Sequence, residues 1–169
     1  VGFGVIGVET LYNLSKKIKS NKQKNYIIAI IEKDLKNIPG GVAYSLEKSK
    51  FGFFNNPLRL AHPDFIRWIN KNNNKKRIKS FIHKNPKYQL KKWYFDNRVK
   101  FEKKIIDQEI YLPRIVHSFY LKDKIFKIIK NFKISNIRLF FLKGELNNIN
   151  LKNNYVLESS NTYSFYRML

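Results

Sequence analysis

The sequence has no cysteine. That excludes disulfide scaffolds, thiolate nucleophiles and Cys-ligated zinc, and it fits a reducing, cytoplasmic setting. No apolar run in it approaches the ~20 residues of a membrane span. Acidic side chains are few, 12 against 34 basic ones, which leaves a formal charge of +22. Arginine is itself scarce among those cations, seven of the 34. Nucleic-acid interfaces lean on arginine for bidentate contacts, and the lysines here are scattered rather than lined along one stripe. Lys, Asn, Ile and Phe share A- and T-rich codons, so compositional bias accounts for the charge without a nucleic-acid partner. A basic nucleic-acid-binding module remains the rival reading. His62, His83 and His117 lie far apart, without metal-ligand spacing, and neither Ser45 nor Ser118 has an identifiable base for nucleophilic chemistry. With 43% hydrophobic residues and 14 Phe the chain can build a core, which excludes a disordered polycation. Its length fits one domain or part of a larger one.

Glycine is scarce as well, seven residues in 169, yet five stand at positions 2, 4, 7, 40 and 41. Gly2, Gly4 and Gly7 spell GxGxxG. In a dinucleotide loop the first glycine permits a tight turn, the second lets backbone approach a pyrophosphate, and the third lets the following helix pack closely. The helix N-terminus then offers unpaired N–H groups to the anion. Val8, Leu11, Leu14 and Ile18 follow at helical spacing. Tyr26–Ile31 reads as a strand covered on both faces of a parallel sheet. It ends at Glu32, where the dinucleotide fold places an acid for ribose hydroxyls. Gly2 has no apolar strand before it, and the chain is expected to be a piece whose first strand is absent and which folds poorly alone.

Further along, IPGGVAYS (38–45) predicts a tight loop in which backbone needs room, as beside a ligand. Asn55–Asn56–Pro57 is a turn signal. His62–Pro63–Asp64 opens a short helix carrying Phe65, Trp68 and Ile69, with His62 as its cap. Pro113 stands early in a long helix running towards Phe132. The lysines of 72–92 predict a solvated helical face. Residues 137–142, 145–149 and 155–158 read as short strands parted by turns.

This ordered set resembles the FAD-NAD(P)-binding family of flavoprotein oxidoreductases, from residue 1 to about residue 157. The matching residues are Gly2, Gly4, Gly7 and Glu32; Gly41, Ala43, Tyr44 and Ser45; Asn55 and Pro57; Asp64, Phe65 and Trp68; and Pro113 with Arg114. Phe53–Phe54 replaces the family's leucines, residues 72–110 form an insertion, and a second glycine-bearing strand end that closes the FAD site is missing. The resemblance implies an α/β, Rossmann-like FAD/NAD(P)-binding domain, incomplete, with a helical insertion and a small antiparallel β-meander. Residues 1–45 would hold the glycine loop, helix, second strand and ligand loop, 46–132 the mostly helical insertion, and 133–169 the meander. It implies FAD as cofactor, NAD(P)H as reductant and a small-molecule substrate that the sequence does not name. NAD at the glycine loop stays open, although the long excursion after Glu32 favours FAD. The flavin ring would reach towards Gly41–Ser45 and Asn55. Tyr44 would pack under it or fill the core, and Arg114 would meet a phosphate or carboxylate or form a structural salt bridge. Leu146 would contact adenine or belong to an ordinary hairpin. A remnant without activity is the third reading.

Overall fold

A computed structural model describes residues 2–18, 26–44, 52–135, 137–150, 156–159 and 165–166. In chain order the elements are α1 (Val5–Ile18), β1 (Ile27–Glu32), a 3-10 turn (Leu35–Asn37) and the single-turn helix α2 (Gly41–Tyr44). A second 3-10 turn (Leu58–Leu60) leads to α3 (Pro63–Ile69), α4 (Asn72–Lys84), α5 (Tyr88–Glu102) and α6 (Arg114–Ile134). The strands β2 (Arg138–Lys143), β3 (Leu146–Asn150), β4 (Val156–Ser159) and β5 (Phe165–Tyr166) follow.

Helix α1 packs along α6, but its inner face is rotated from the one its leucines predict. Val8 and Leu11 are buried, Leu14 is exposed, and Ser15 takes the inward position. Its hydroxyl donates to Tyr12 O (2.7 Å) and accepts from Asn131 Nδ2 (3.3 Å). A buried serine is tolerated because both bonds replace water. The same interface holds Lys124, whose ammonium bonds the Glu9 carboxylate and lies over the Tyr12 and Tyr120 rings at 4.7 and 4.9 Å.

Strand β1 pairs in parallel with β2, from Ile27 opposite Arg138 to Glu32 opposite Lys143. Parallel neighbours require a long crossover, and the segment carrying α3 to α6 supplies it. β5 pairs antiparallel on the far side of β2, and β3 with β4 forms a separate antiparallel pair. The expected meander over 137–142, 145–149 and 155–158 is therefore corrected. Its first segment is not a meander strand but the middle of the β1–β2–β5 sheet. The reason lies in the run itself: Ile137 and Phe141 are buried and Leu139 packs against the core, so the strand needs partners on both edges and a covered face. The chain is thus an α/β protein, mostly helical, built on a parallel strand pair.

Strand β1 is less enclosed than its isoleucines predict. Successive side chains alternate between faces; Ile28 and Ile30 lie against the core, whereas Ile27 is 71% exposed. The helical segment supplies most of the remaining core. In α3, His62 Nδ1 accepts the Asp64 N–H (3.2 Å) as the helix cap, with Pro63 opening the first turn. Phe65, Trp68 and Ile69 are buried as the sequence predicts. Helix α6 begins directly after Pro113, where the absent N–H costs nothing. No helix among the described residues is long and apolar enough to cross a membrane.

Candidate functional site

The glycine loop folds back against the end of β1. Gly2 adopts φ +62° and its N–H donates to Ile31 O (2.8 Å), while the Gly2 carbonyl lies under the first turn of α1. A Cβ on Gly7 would stand 2.5 Å from that carbonyl oxygen, whereas a Cβ on Gly4 would meet nothing within 4 Å. The three positions thus differ physically: a turn only glycine adopts readily, an open position, and a close packing contact. Between them Phe3 is 2% exposed and packs edge-on against Phe141 with ring centroids 5.3 Å apart. This aromatic pins the loop to β2. Position 3 carried no signal in the glycine spacing, although an aromatic between two glycines is a visible anchor.

Glu32 sits at the end of β1 and turns its carboxylate towards the loop. Oε2 accepts the Phe3 N–H at 2.6 Å and Oε1 the Asp34 N–H at 3.4 Å. A charge-assisted bond of this kind is roughly twice as strong as a neutral one. The acid therefore holds the glycine loop to the strand, with the longer-bonded oxygen retaining acceptor capacity.

The GGVAY segment closes the other side. Gly40 N–H donates to Phe3 O (3.2 Å), Gly4 and Gly40 form a parallel bridge, and a Cβ on Gly41 would lie 3.4 Å from the Gly4 Cα. Two motifs more than thirty residues apart thereby line one cleft of ≈ 740 Å³, its walls completed by Ile28, Ala29 and Ile30 of β1. Tyr44 stands at its edge and also lines a smaller apolar hollow of ≈ 200 Å³ with Phe54, Leu58 and Phe65.

Asn55 and Arg114 meet beside this hollow without lining it. Arg114 Nη2 donates to Asn55 Oδ1 (3.3 Å), its Nε to Phe53 O (2.9 Å), and its backbone N–H to Gly52 O (2.8 Å). Its guanidinium thus clasps the 52–55 segment to the start of α6 through neutral acceptors. Leu146 opens β3 opposite Ser159, three residues after Lys143, which pairs opposite Glu32. Ser45 lies outside the described residues.

Helix α6 supplies the floor beneath Tyr44. Ser118 Oγ donates to Tyr44 O (2.5 Å), so the hydroxyl fixes α2. His117 lies against the Tyr44, Phe54 and Phe65 rings, with centroids 4.9, 5.7 and 5.0 Å away. Burial, reinforced by the Lys124 charge, holds its imidazole at about 4, well below the ordinary 6.5. His117 is therefore a neutral ring at physiological pH. Among the described residues no group of three His, Cys, Asp or Glu side chains could hold a metal ion.

No curated protein and no solved structure matches the chain. The family model described as FAD-NAD(P)-binding matches residues 1–164. With the glycine loop, the acid-tipped strand and the GGVAY segment gathered round one cleft, that match spans nearly the whole sequence: the chain belongs to the FAD-NAD(P)-binding family.

Proposed function

We propose that the cleft seats the ADP half of FAD and that the chain is the cofactor-binding part of an FAD-dependent oxidoreductase with NAD(P)H as reductant. The observation that carries this reading is the contrast among the three glycines. A Cβ at Gly7 would strike the loop's own backbone, while the open side of Gly4 faces the cleft, as a position approached by a pyrophosphate requires. The residues present fit the group. The α1 N-terminus would offer N–H groups to phosphate oxygens, Glu32 would accept from a ribose hydroxyl, and Gly41, whose Cβ would lie 3.4 Å from the Gly4 Cα, would let its segment close on the glycine loop beside the ligand. Asn55 and Arg114, and by family resemblance Ser45 and Leu146, would complete the contacts.

Hydride chemistry is what the cofactor supplies when bound; the protein's work is seating, orientation and exclusion of water. Tyr44, fixed by Ser118 and backed by the neutral His117, would form an apolar wall beside the reacting ring, and a small-molecule substrate would enter from the hollow behind it. The test is a visible absorption spectrum after incubation with FAD and gel filtration. A flavin band that is lost on Gly4→Val supports the reading, and bleaching by NADH or NADPH supports the reductant. A well-folded, colourless protein that ignores FAD overturns it; one that binds NAD instead moves the cofactor assignment.

A further inference from the structure

The hollow beside Tyr44 has walls of one chemical kind. Besides Tyr44, Phe54, Leu58 and Phe65 it is lined by Pro57, Leu60, Ala61 and Leu112, and Asn56 brings the one polar amide. Among the described residues no charged side chain lines it. His117, which lies against the three aromatic rings, is neutral at physiological pH because it is buried. The guanidinium beside the hollow, on Arg114, is held by the Phe53 carbonyl and the Asn55 amide oxygen. A charged ligand would leave water here without gaining an ion pair, which is strongly unfavourable. An uncharged one gains apolar burial at little cost.

Shape selects further. The aromatic wall is continuous: the Tyr44 and Phe54 ring centroids are 5.8 Å apart and those of Phe54 and Phe65 5.9 Å, with tilts of 37° and 35°. A further ring laid against such a wall gains edge or offset contacts beyond its area burial. The frame is held by backbone. Phe54 N–H donates to Leu112 O (2.9 Å), Leu58 N–H to Ile110 O (3.0 Å), and Ala61 N–H to Leu58 O (3.0 Å). These bonds fix residues 54–61 against 110–112, as a preformed ligand pocket requires. The volume is ≈ 200 Å³. A dry cavity of roughly 150 Å³ admits benzene, so one six-membered ring with a short substituent fits. The Asn56 amide offers that substituent both a donor and an acceptor. Tyr44 lines the hollow and the larger cleft alike, so a ring seated here shares a wall with the proposed cofactor site.

We propose that the hollow is the pocket for an uncharged, single-ring aromatic compound with one polar substituent, held by the Tyr44, Phe54 and Phe65 rings and the Asn56 amide. That this compound is the substrate rests on the dinucleotide reading of the cleft; its binding does not.

The test is a ligand-observed NMR titration of the full chain with benzamide, benzoate and benzylammonium at constant ionic strength. The three share a ring and a size and differ in charge. Benzamide should saturate below about 10 mM, and each ion should bind at least about 10-fold more weakly. A basic surface acting alone would put benzoate first, because the chain carries +22. Ala61→Phe, which fills the hollow from a half-buried wall position, should weaken benzamide at least about 10-fold. Asn56→Ala, at an exposed position, should weaken it about 5-fold through loss of one hydrogen bond and leave toluene binding unchanged. Gly4→Val should remove the flavin band without altering the benzamide titration, so failure of the cofactor reading is distinguishable from failure of this one. A chain that saturates with benzamide yet binds no FAD upholds the pocket and defeats the cofactor reading. With FAD bound, benzamide should shift the flavin band, and an unshifted band denies the pocket a substrate role. No saturation with benzamide, benzoate binding as tightly as benzamide, or an Ala61→Phe variant that titrates like the wild type overturns the proposal.

Discussion

Alanine at Gly4 and alanine at Gly7 should do opposite things, although both change one hydrogen to a methyl within the same loop. At Gly7 the methyl carbon would stand 2.5 Å from Gly2 O, about 1 Å inside ordinary van der Waals contact. The Gly2 carbonyl cannot retreat freely, because its residue is bonded to Ile31 O and the next amide to Glu32. Overpacking of this kind costs about 1–3 kcal/mol, offset by at most about 1 kcal/mol of helix propensity gained over glycine. Gly7→Ala should therefore lose about 1–2 kcal/mol, which lowers Tm by roughly 2–8 °C for a chain of this size. At Gly4 the methyl meets nothing within 4 Å, and stability should hold or rise by up to about 1 kcal/mol as the unfolded chain loses freedom. The same methyl would occupy the side from which a pyrophosphate approaches, so FAD affinity should fall at least about 10-fold. Urea denaturation and flavin-fluorescence titration of both variants separate the effects. A Gly4→Ala protein as destabilised as Gly7→Ala, or one that binds FAD like the wild type, would refute the division of roles.

Other outcomes follow from single contacts. Glu32→Gln exchanges a charged acceptor for a neutral one at the Phe3 amide and should cost about 1 kcal/mol; hydrogen exchange at Phe3 should quicken, and unchanged exchange would count against the loop anchor. Glu9→Ala strands Lys124, whose side chain is 4% exposed, and should cost about 3 kcal/mol. Adding Lys124→Met should recover most of that loss, whereas purely additive losses in the double-mutant cycle would deny the coupling. His117 titrates near 4 when folded against 6.5 ordinarily, so the unfolded chain takes the proton first. Its share of stability, about 3 kcal/mol, is complete above 6.5, falls as pH drops towards 4 and changes no further below. His117→Phe should remove that slope, and parallel pH–stability curves for the two proteins would exclude it.

The sequence alone determined what depends on near neighbours along the chain. Glycine spacing placed the loop and its helix, because a steric requirement at one backbone position is written into one residue type. The His62 cap, the Pro63 and Pro113 helix starts and the buried Phe65, Trp68 and Ile69 were legible for the same reason: caps and periodic faces act within a few residues. Glu32 was legible by position, but its bond to the Phe3 amide required knowing that the loop folds back on the strand end. Only the tertiary structure decided which strand pairs with which. The run at 137–142 has the same alternation whether it sits in a meander or beside β1, and its register with Ile27–Glu32 is set by a crossover of more than a hundred residues. Tertiary packing likewise turned Ser15 inward where Leu14 was expected, because two hydrogen bonds, one of them across to α6, offset its desolvation. It also gathered Tyr12, Asp64, Tyr120 and Lys127 round one cavity. No local pattern marks such a gathering: these residues come from three helices, and which side chains meet there is decided by how the fold packs them.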